Sequence, residues 1–128
     1  MPTFTLTAHS TAPVEDVWKL LHDPARFPDW WTGVETVQTG PDSTSYTMWP
    51  EGYPDFPMAQ RLETSSGRVT ISCLVSDLMF TWQLRESGPE TDIDVVVELP
   101  EQEAHRLPEQ RRLLEASIVT LADLATRG

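Results

Sequence analysis

Few side chains in this sequence are placed to do chemistry, and its most versatile ones do not converge. His9, His22 and His105 fall at a strand end, a helix end and a linker, a scatter with no metal-ligand spacing, so no metal is expected. There is no HExxH, no cysteine pair, no phosphate-cradling glycine loop, no GxSxG and no dinucleotide fingerprint. Arg61 sits mid-strand among apolar neighbours. Turned inward, its guanidinium would grip a ligand carboxylate, phenolate or carbonyl in a bidentate fashion. Turned outward, it joins Glu63 on a solvated face, the more usual fate of an arginine. Tyr46 and Trp82 would offer a hydroxyl and an indole N–H inside a pocket, or fill space there. Cys73, the single cysteine, lies in an apolar strand with no cation near it in sequence, the setting of a buried, inert thiol.

One stretch is compositionally unusual. Pro50-Glu51-Gly52-Tyr53-Pro54-Asp55-Phe56-Pro57 holds three prolines and a glycine in eight residues, which excludes it from a sheet interior. With Trp49 before it, the loop carries three aromatics and two carboxylates. Such a loop either borders a binding site or plugs the mouth of its own sheet.

The elements that must position these groups are read from periodicity. Val14, Val17, Trp18 and Leu21 form one apolar stripe at helical spacing, with Pro13 in the first turn and Glu15 and Asp16 near the positive end of the helix dipole. Asp23-Pro24 stops that helix and Phe27-Pro28 restricts the next, so two short helical pieces are expected, ended by Gly33. Trp18 and Trp30 should pack these pieces against a sheet. Neighbours in a helix cannot share a face, so one of Trp30 and Trp31 is expected near the surface or a pocket mouth.

Strands are expected at 3–9, 34–39, 44–49, 58–64, 68–75, 78–86 and 91–99, joined by short turns at Gly40–Ser43, Ser65–Gly67, Ser76-Asp77 and Ser87–Pro89. The last three alternate most clearly: Ile71 and Cys73, Phe80 and Trp82, Ile93 and Val95 share the apolar face of an antiparallel sheet. After an exposed linker at Pro100–Glu103, a helix from Pro108 carries Leu114, Ile118, Leu121, Ala122 and Ala125 as its buried stripe. Only the inner sheet face offers it a large apolar surface. The order is β-α-α-β6-α: an α+β fold in which a curved antiparallel sheet of about seven strands wraps a long C-terminal helix.

A chain of 128 residues suits a single domain spanning 1–128. Its net charge of −11 repels phosphate backbones, so nucleic acid is excluded as a partner. Anionic membrane surfaces are disfavoured too, and no apolar run is long enough for stable membrane insertion. No secretory leader is visible, and one cysteine cannot form an internal disulfide, so a cytoplasmic location is expected.

The pattern formed by Ala12, Pro13, Glu15, Val17, Trp18, Leu21, Asp23, Pro24, Phe27 and Trp30 resembles the start of the START-like, or polyketide cyclase/dehydrase-like (SRPBCC), superfamily. The resemblance implies a helix-grip fold with a pocket between sheet and C-terminal helix. It also implies that Trp31, the loop from Trp49 to Pro57 and Asp77 lie together at the pocket mouth. The expected ligand-lining set is then Trp31, Trp49, Tyr53 and Phe56 at the rim, with Tyr46, Arg61, Phe80 and Trp82 from the strands. Leu114 and Ile118 complete it from the helix.

The leading function is binding of a small hydrophobic or aromatic molecule, such as a polyketide, lipid or aromatic metabolite. The first alternative is a polyketide aromatase/cyclase or dehydratase working without a cofactor, with Arg61, Tyr46 and Asp55 to polarise a carbonyl or move a proton. The second is a protein-partner module resembling the chaperone-ATPase-activator branch. A homodimer is compatible with all three.

Overall fold

A computed structural model describes residues 2–41, 44–74 and 77–127. Asp42 and Ser43, expected in a turn, and Val75 and Ser76, expected as a strand end and corner, lie outside the described residues. The chain runs β1 (Thr3–Ser10), α1 (Val14–Leu21), a 3-10 turn (Pro24–Arg26), α2 (Phe27–Trp30), β2 (Val34–Thr39), β3 (Ser45–Pro50) and β4 (Met58–Ser65). It continues through β5 (Arg68–Cys73), β6 (Met79–Ser87), β7 (Glu90–Glu98), a 3-10 segment (Glu101–Arg106) and α3 (Leu107–Ala125). The expected helix-grip architecture is thus present, and no helix among the described residues is long and apolar enough to cross a membrane.

All seven strands form one antiparallel sheet in the order β1-β7-β6-β5-β4-β3-β2. Successive hairpins from β2 to β7 produce most of this order; β1 joins the far edge by pairing with β7, and the two short helices carry the chain across to β2. Period-two alternation puts Phe80, Trp82 and Leu84 of β6 and Ile93, Val95 and Val97 of β7 on the same buried face. Against it α3 lays Leu114, Ile118, Leu121, Ala122 and Ala125, as its spacing requires, together with Ser117, a buried polar position outside the apolar pattern. A fully buried leucine contributes roughly 1.5–3 kcal/mol, so this stripe is what holds α3 in the sheet's grip.

Polar ties fix how the small helices enter the core. The Ser10 hydroxyl donates to the Ala122 carbonyl at 2.7 Å and accepts from the Ala12 amide at 3.2 Å, joining the end of β1 to α3 and to the start of α1. Pro13 caps α1 rather than entering it. α1 buries Leu20 with Val17 and Leu21, while Val14 and Trp18 stay half-buried, Trp18 stacking on His22. Asp23 accepts from the Ala25 amide at 3.1 Å and so starts the next helical piece. The linker expected at Pro100–Glu103 is instead a 3-10 segment running directly into α3, which begins at Leu107.

Trp30 and Trp31 are both buried, so of the two places expected for one of them, the surface or a pocket mouth, the surface is ruled out, while Trp31 borders an open space in the interior. The reason is local: α2 ends at Trp30, and Trp31 adopts an extended backbone with ψ of 102°. The helical rule that separates neighbours does not act across that step. The two indoles stack at 5.2 Å between centroids, and Trp30 donates its indole N–H to the Leu20 carbonyl at 3.0 Å.

Candidate functional site

The interior is not filled everywhere. Between the first turns of α3, the turn after α2 and the β3–β6 part of the sheet lies a cavity of about 510 Å³. Its deep walls are aromatic and apolar: Phe27 and Trp31 from the α2 side, Leu78 and Phe80 at and after the β5–β6 corner, and Cys73 at the end of β5. Trp31 meets Phe80 edge-on at 5.0 Å, and Phe27 meets Tyr46 edge-on at 5.7 Å.

The wall nearest α3 is held by backbone. The Thr32 amide donates to the Ser117 hydroxyl at 2.8 Å, and that hydroxyl donates to the Leu113 carbonyl at 2.7 Å. Gly33 follows with φ of +98°, a left-handed conformation that a side chain strains. A Cβ there would lie 3.4 Å from Leu113.

Two polar side chains meet inside this wall. Tyr46 of β3 and Gln60 of β4 are cross-strand partners, both buried and both lining the cavity. The Tyr46 hydroxyl donates to Gln60 Oε1 at 2.5 Å. Burial, with a smaller contribution from the Cys73 thiol, pushes the Tyr46 phenol far above its ordinary 10.0, so it stays a neutral donor. At the mouth stand Glu51, Tyr53 and Glu109, all exposed, with Arg106 beside them. The Arg106 guanidinium faces Glu103 at 3.6 Å.

The expected lining residues divide by strand parity. Trp31, Tyr46, Tyr53 and Phe80 line the cavity. Trp49 cannot share a face with Tyr46 three residues earlier in the same strand. It lies on the outer side, where it borders a surface hollow with Thr36, Gln38 and Pro54. Arg61 is likewise corrected: it neighbours inward-facing Gln60 and Leu62, so its side chain is exposed and anchors nothing in the cavity. Phe56 is 64 % exposed on the loop, touching Tyr53 edge-on.

Trp82, Leu114 and Ile118 are core rather than lining, because the Trp30 and Trp31 indoles and the turn of α3 bearing Gln110 and Leu113 stand between them and the open space. Among residues that pattern reading missed are Gln60, Cys73, Met48, Arg106 and Gln110. Met48 was recoverable from parity with Tyr46; Gln60 was not, since a polar residue reads as outward.

Outside the cavity, His9 holds Asp92 on Nδ1 at 2.8 Å and Glu90 on Nε2. Ligands on opposite ring nitrogens cannot converge on one ion, and among the described residues no group of three His, Cys, Asp or Glu could hold a metal.

Residues 1–118 match the family described as polyketide cyclase/dehydrase and lipid transport. No curated protein matches the chain. Among solved structures, the protein XoxI from Bacillus cereus is similar at 17 % identity and a TM-score of 0.77, over 98 % of this chain and 96 % of that one. A START superfamily protein from Mycobacterium smegmatis is similar at 12 % identity and a TM-score of 0.77, over 98 % and 97 %. The di-domain ARO/CYC protein BexL, from the BE-7585A biosynthetic pathway, matches at 13 % identity and a TM-score of 0.77, over 96 % of this chain and 46 % of that one. At such identities the likeness is one of fold, and it is the START-like fold expected from the helix-start motif.

Proposed function

This chain belongs to the polyketide cyclase/dehydrase and lipid transport family, and from that premise we propose that it binds a small hydrophobic or aromatic molecule between its sheet and α3. The observation that carries this reading is the open space itself. Elsewhere Trp30, Trp82, Leu114 and Ile118 pack the interior closely, whereas Trp31, Phe27 and Phe80 present apolar surface to a cavity of about 510 Å³. Burying apolar ligand surface there yields about 25 cal/mol per Å², and a largely preformed pocket spares the protein the cost of ordering itself.

A catalytic use of the same cavity would need a group to take a proton from the substrate. Among the described residues, the buried polar side chains lining it are Tyr46, Gln60 and Cys73, and its carboxylates, Glu51 and Glu109, stand exposed at the mouth. A phenol held neutral can polarise a carbonyl but is a poor base, which favours binding over turnover.

Native mass spectrometry of the protein as purified, repeated after denaturing extraction, tests the reading. A co-purified apolar molecule that leaves on denaturation is the expected result, with reduced occupancy in Cys73→Leu, which narrows the cavity. An unliganded mass that stays unchanged across a panel of lipids and aromatic ketones would overturn it.

A further inference from the structure

Gln60 is 7 % exposed and lines the cavity, yet its side chain's only hydrogen-bond partner among the described residues is the Tyr46 hydroxyl. Its oxygen is engaged; its side-chain N–H groups have no partner among those residues. Should the amide sit the other way round, the Tyr46 hydroxyl proton becomes the free donor instead, so the pair presents a donor to the cavity in either orientation. That donor is open to the cavity rather than sealed in the core, so water or a ligand atom meets it there.

The surroundings restrict what that atom can be. Phe27, Leu78, Phe80 and Cys73 flank the pair, and no cation stands among these deep residues. A carboxylate delivered there would lose its hydration without a counter-charge. The single lining cation among the described residues, Arg106, is at the mouth beside Glu103, and the other charged lining residues, Glu51 and Glu109, are negative.

Resting on the ligand-binding reading above, we propose that Tyr46 and Gln60 select an uncharged ligand that presents a neutral oxygen function, a ketone, enol, phenol or amide, to the deep wall of the cavity. The Gln60 amide donates to the ligand's carbonyl, and the lone pairs of the pair's oxygens accept from a ligand hydroxyl. The raised phenol of Tyr46 supports this, since a neutral phenol adds no charge that would draw a cation inward. Acidic amphiphiles of the same size are rejected at both ends, by the uncharged floor and by the carboxylates at the mouth.

Three probes of near-equal shape separate the alternatives: 2-acetylnaphthalene, 2-ethylnaphthalene and 2-naphthoate, titrated into the 128-residue protein by calorimetry and by quenching of tryptophan fluorescence. The ketone is expected to bind about five- to tenfold more tightly than the ethyl compound, the worth of one net hydrogen bond, and the carboxylate most weakly. In Tyr46→Phe/Gln60→Met, an apolar pair of similar shape, the ketone's advantage should vanish while 2-ethylnaphthalene binds at least as well. Equal binding of ketone and ethyl probes by the unaltered protein, or preference for 2-naphthoate, would overturn the selection while leaving the cavity reading intact. That comparison needs no variant to fold. No binding of any probe would remove the cavity reading and this inference together.

Discussion

Tyr46 and Gln60 face each other across β3 and β4 and share a hydrogen bond of 2.5 Å inside the core, whereas Arg61, one residue further along, pairs with Ser45 and points to solvent. One step of strand register therefore decides whether the cavity wall carries a neutral pair or a cation. The positive anchor that the sequence suggested at Arg61 is absent from the wall.

Tyr46 should stay protonated in the folded protein at alkaline pH. Its phenol is raised above the unfolded value of 10.0, so the stability linked to it is present below that value and is lost as pH rises above it. Absorbance of tyrosinate from Tyr46 is expected only together with unfolding. The check is a titration of tyrosinate absorbance and near-ultraviolet circular dichroism on Tyr53→Phe, which leaves Tyr46 as the only tyrosine. Absorbance that rises at an ordinary pH while the fold persists would contradict it.

Replacing Arg61 by alanine should change stability by less than about 0.5 kcal/mol, as for most exposed positions, and leave probe affinity unaltered. Urea unfolding and calorimetry measure the two effects; a loss of affinity with the fold intact would return Arg61 to the binding site.

Ser10→Ala removes a buried hydroxyl that serves both the Ala122 carbonyl and the Ala12 amide. The expected cost is about 1–3 kcal/mol, read as a lower urea midpoint with an unchanged slope. The conservative change Ser10→Thr keeps the hydroxyl and should recover part of the loss.

Gly33→Ala places a side chain at φ of +98°, which costs about 1–2 kcal/mol. Leu113, in contact range of the new methyl, should shift and weaken ligand binding at the mouth. Stability that is unchanged in urea would show that the turn after α2 relaxes freely.

His9 lies between two carboxylates, and its imidazole is raised above 6.5, first by the hydrogen bond to Asp92 and next by that to Glu90. Because the folded value exceeds the unfolded one, its stabilising contribution is complete below pH 6.5 and declines as pH climbs through the raised value. His9→Asn should flatten that part of the stability profile. Urea midpoints measured across about pH 5.5 to 9 test this, and identical profiles would refute it.

Much of the fold was legible because burial imposes a period on the chain. Phe80, Trp82 and Leu84, or Ile93, Val95 and Val97, repeat every second residue, and Leu114, Ile118, Leu121 and Ala125 repeat along one helix face; each pattern names its own core side. The helix-start motif around Pro13 and Asp23-Pro24 supplied the family. What the sequence left undetermined was parity where the pattern is mixed, as in β3 and β4.

There Tyr46, Met48 and Gln60 face inward and Trp49 and Arg61 outward because strand pairing and the cover provided by α2 and α3 set the face, and hydropathy ranks Trp49 above Gln60 for burial. The joint burial of Trp30 and Trp31 was hidden for a related reason: helix α2 stops between them, and a one-residue change of backbone angle redirects an indole. Local pattern determined which elements form and which faces they bury. Only the packed tertiary structure decided which polar atoms those faces enclose, because a buried glutamine is stabilised by a partner on another strand.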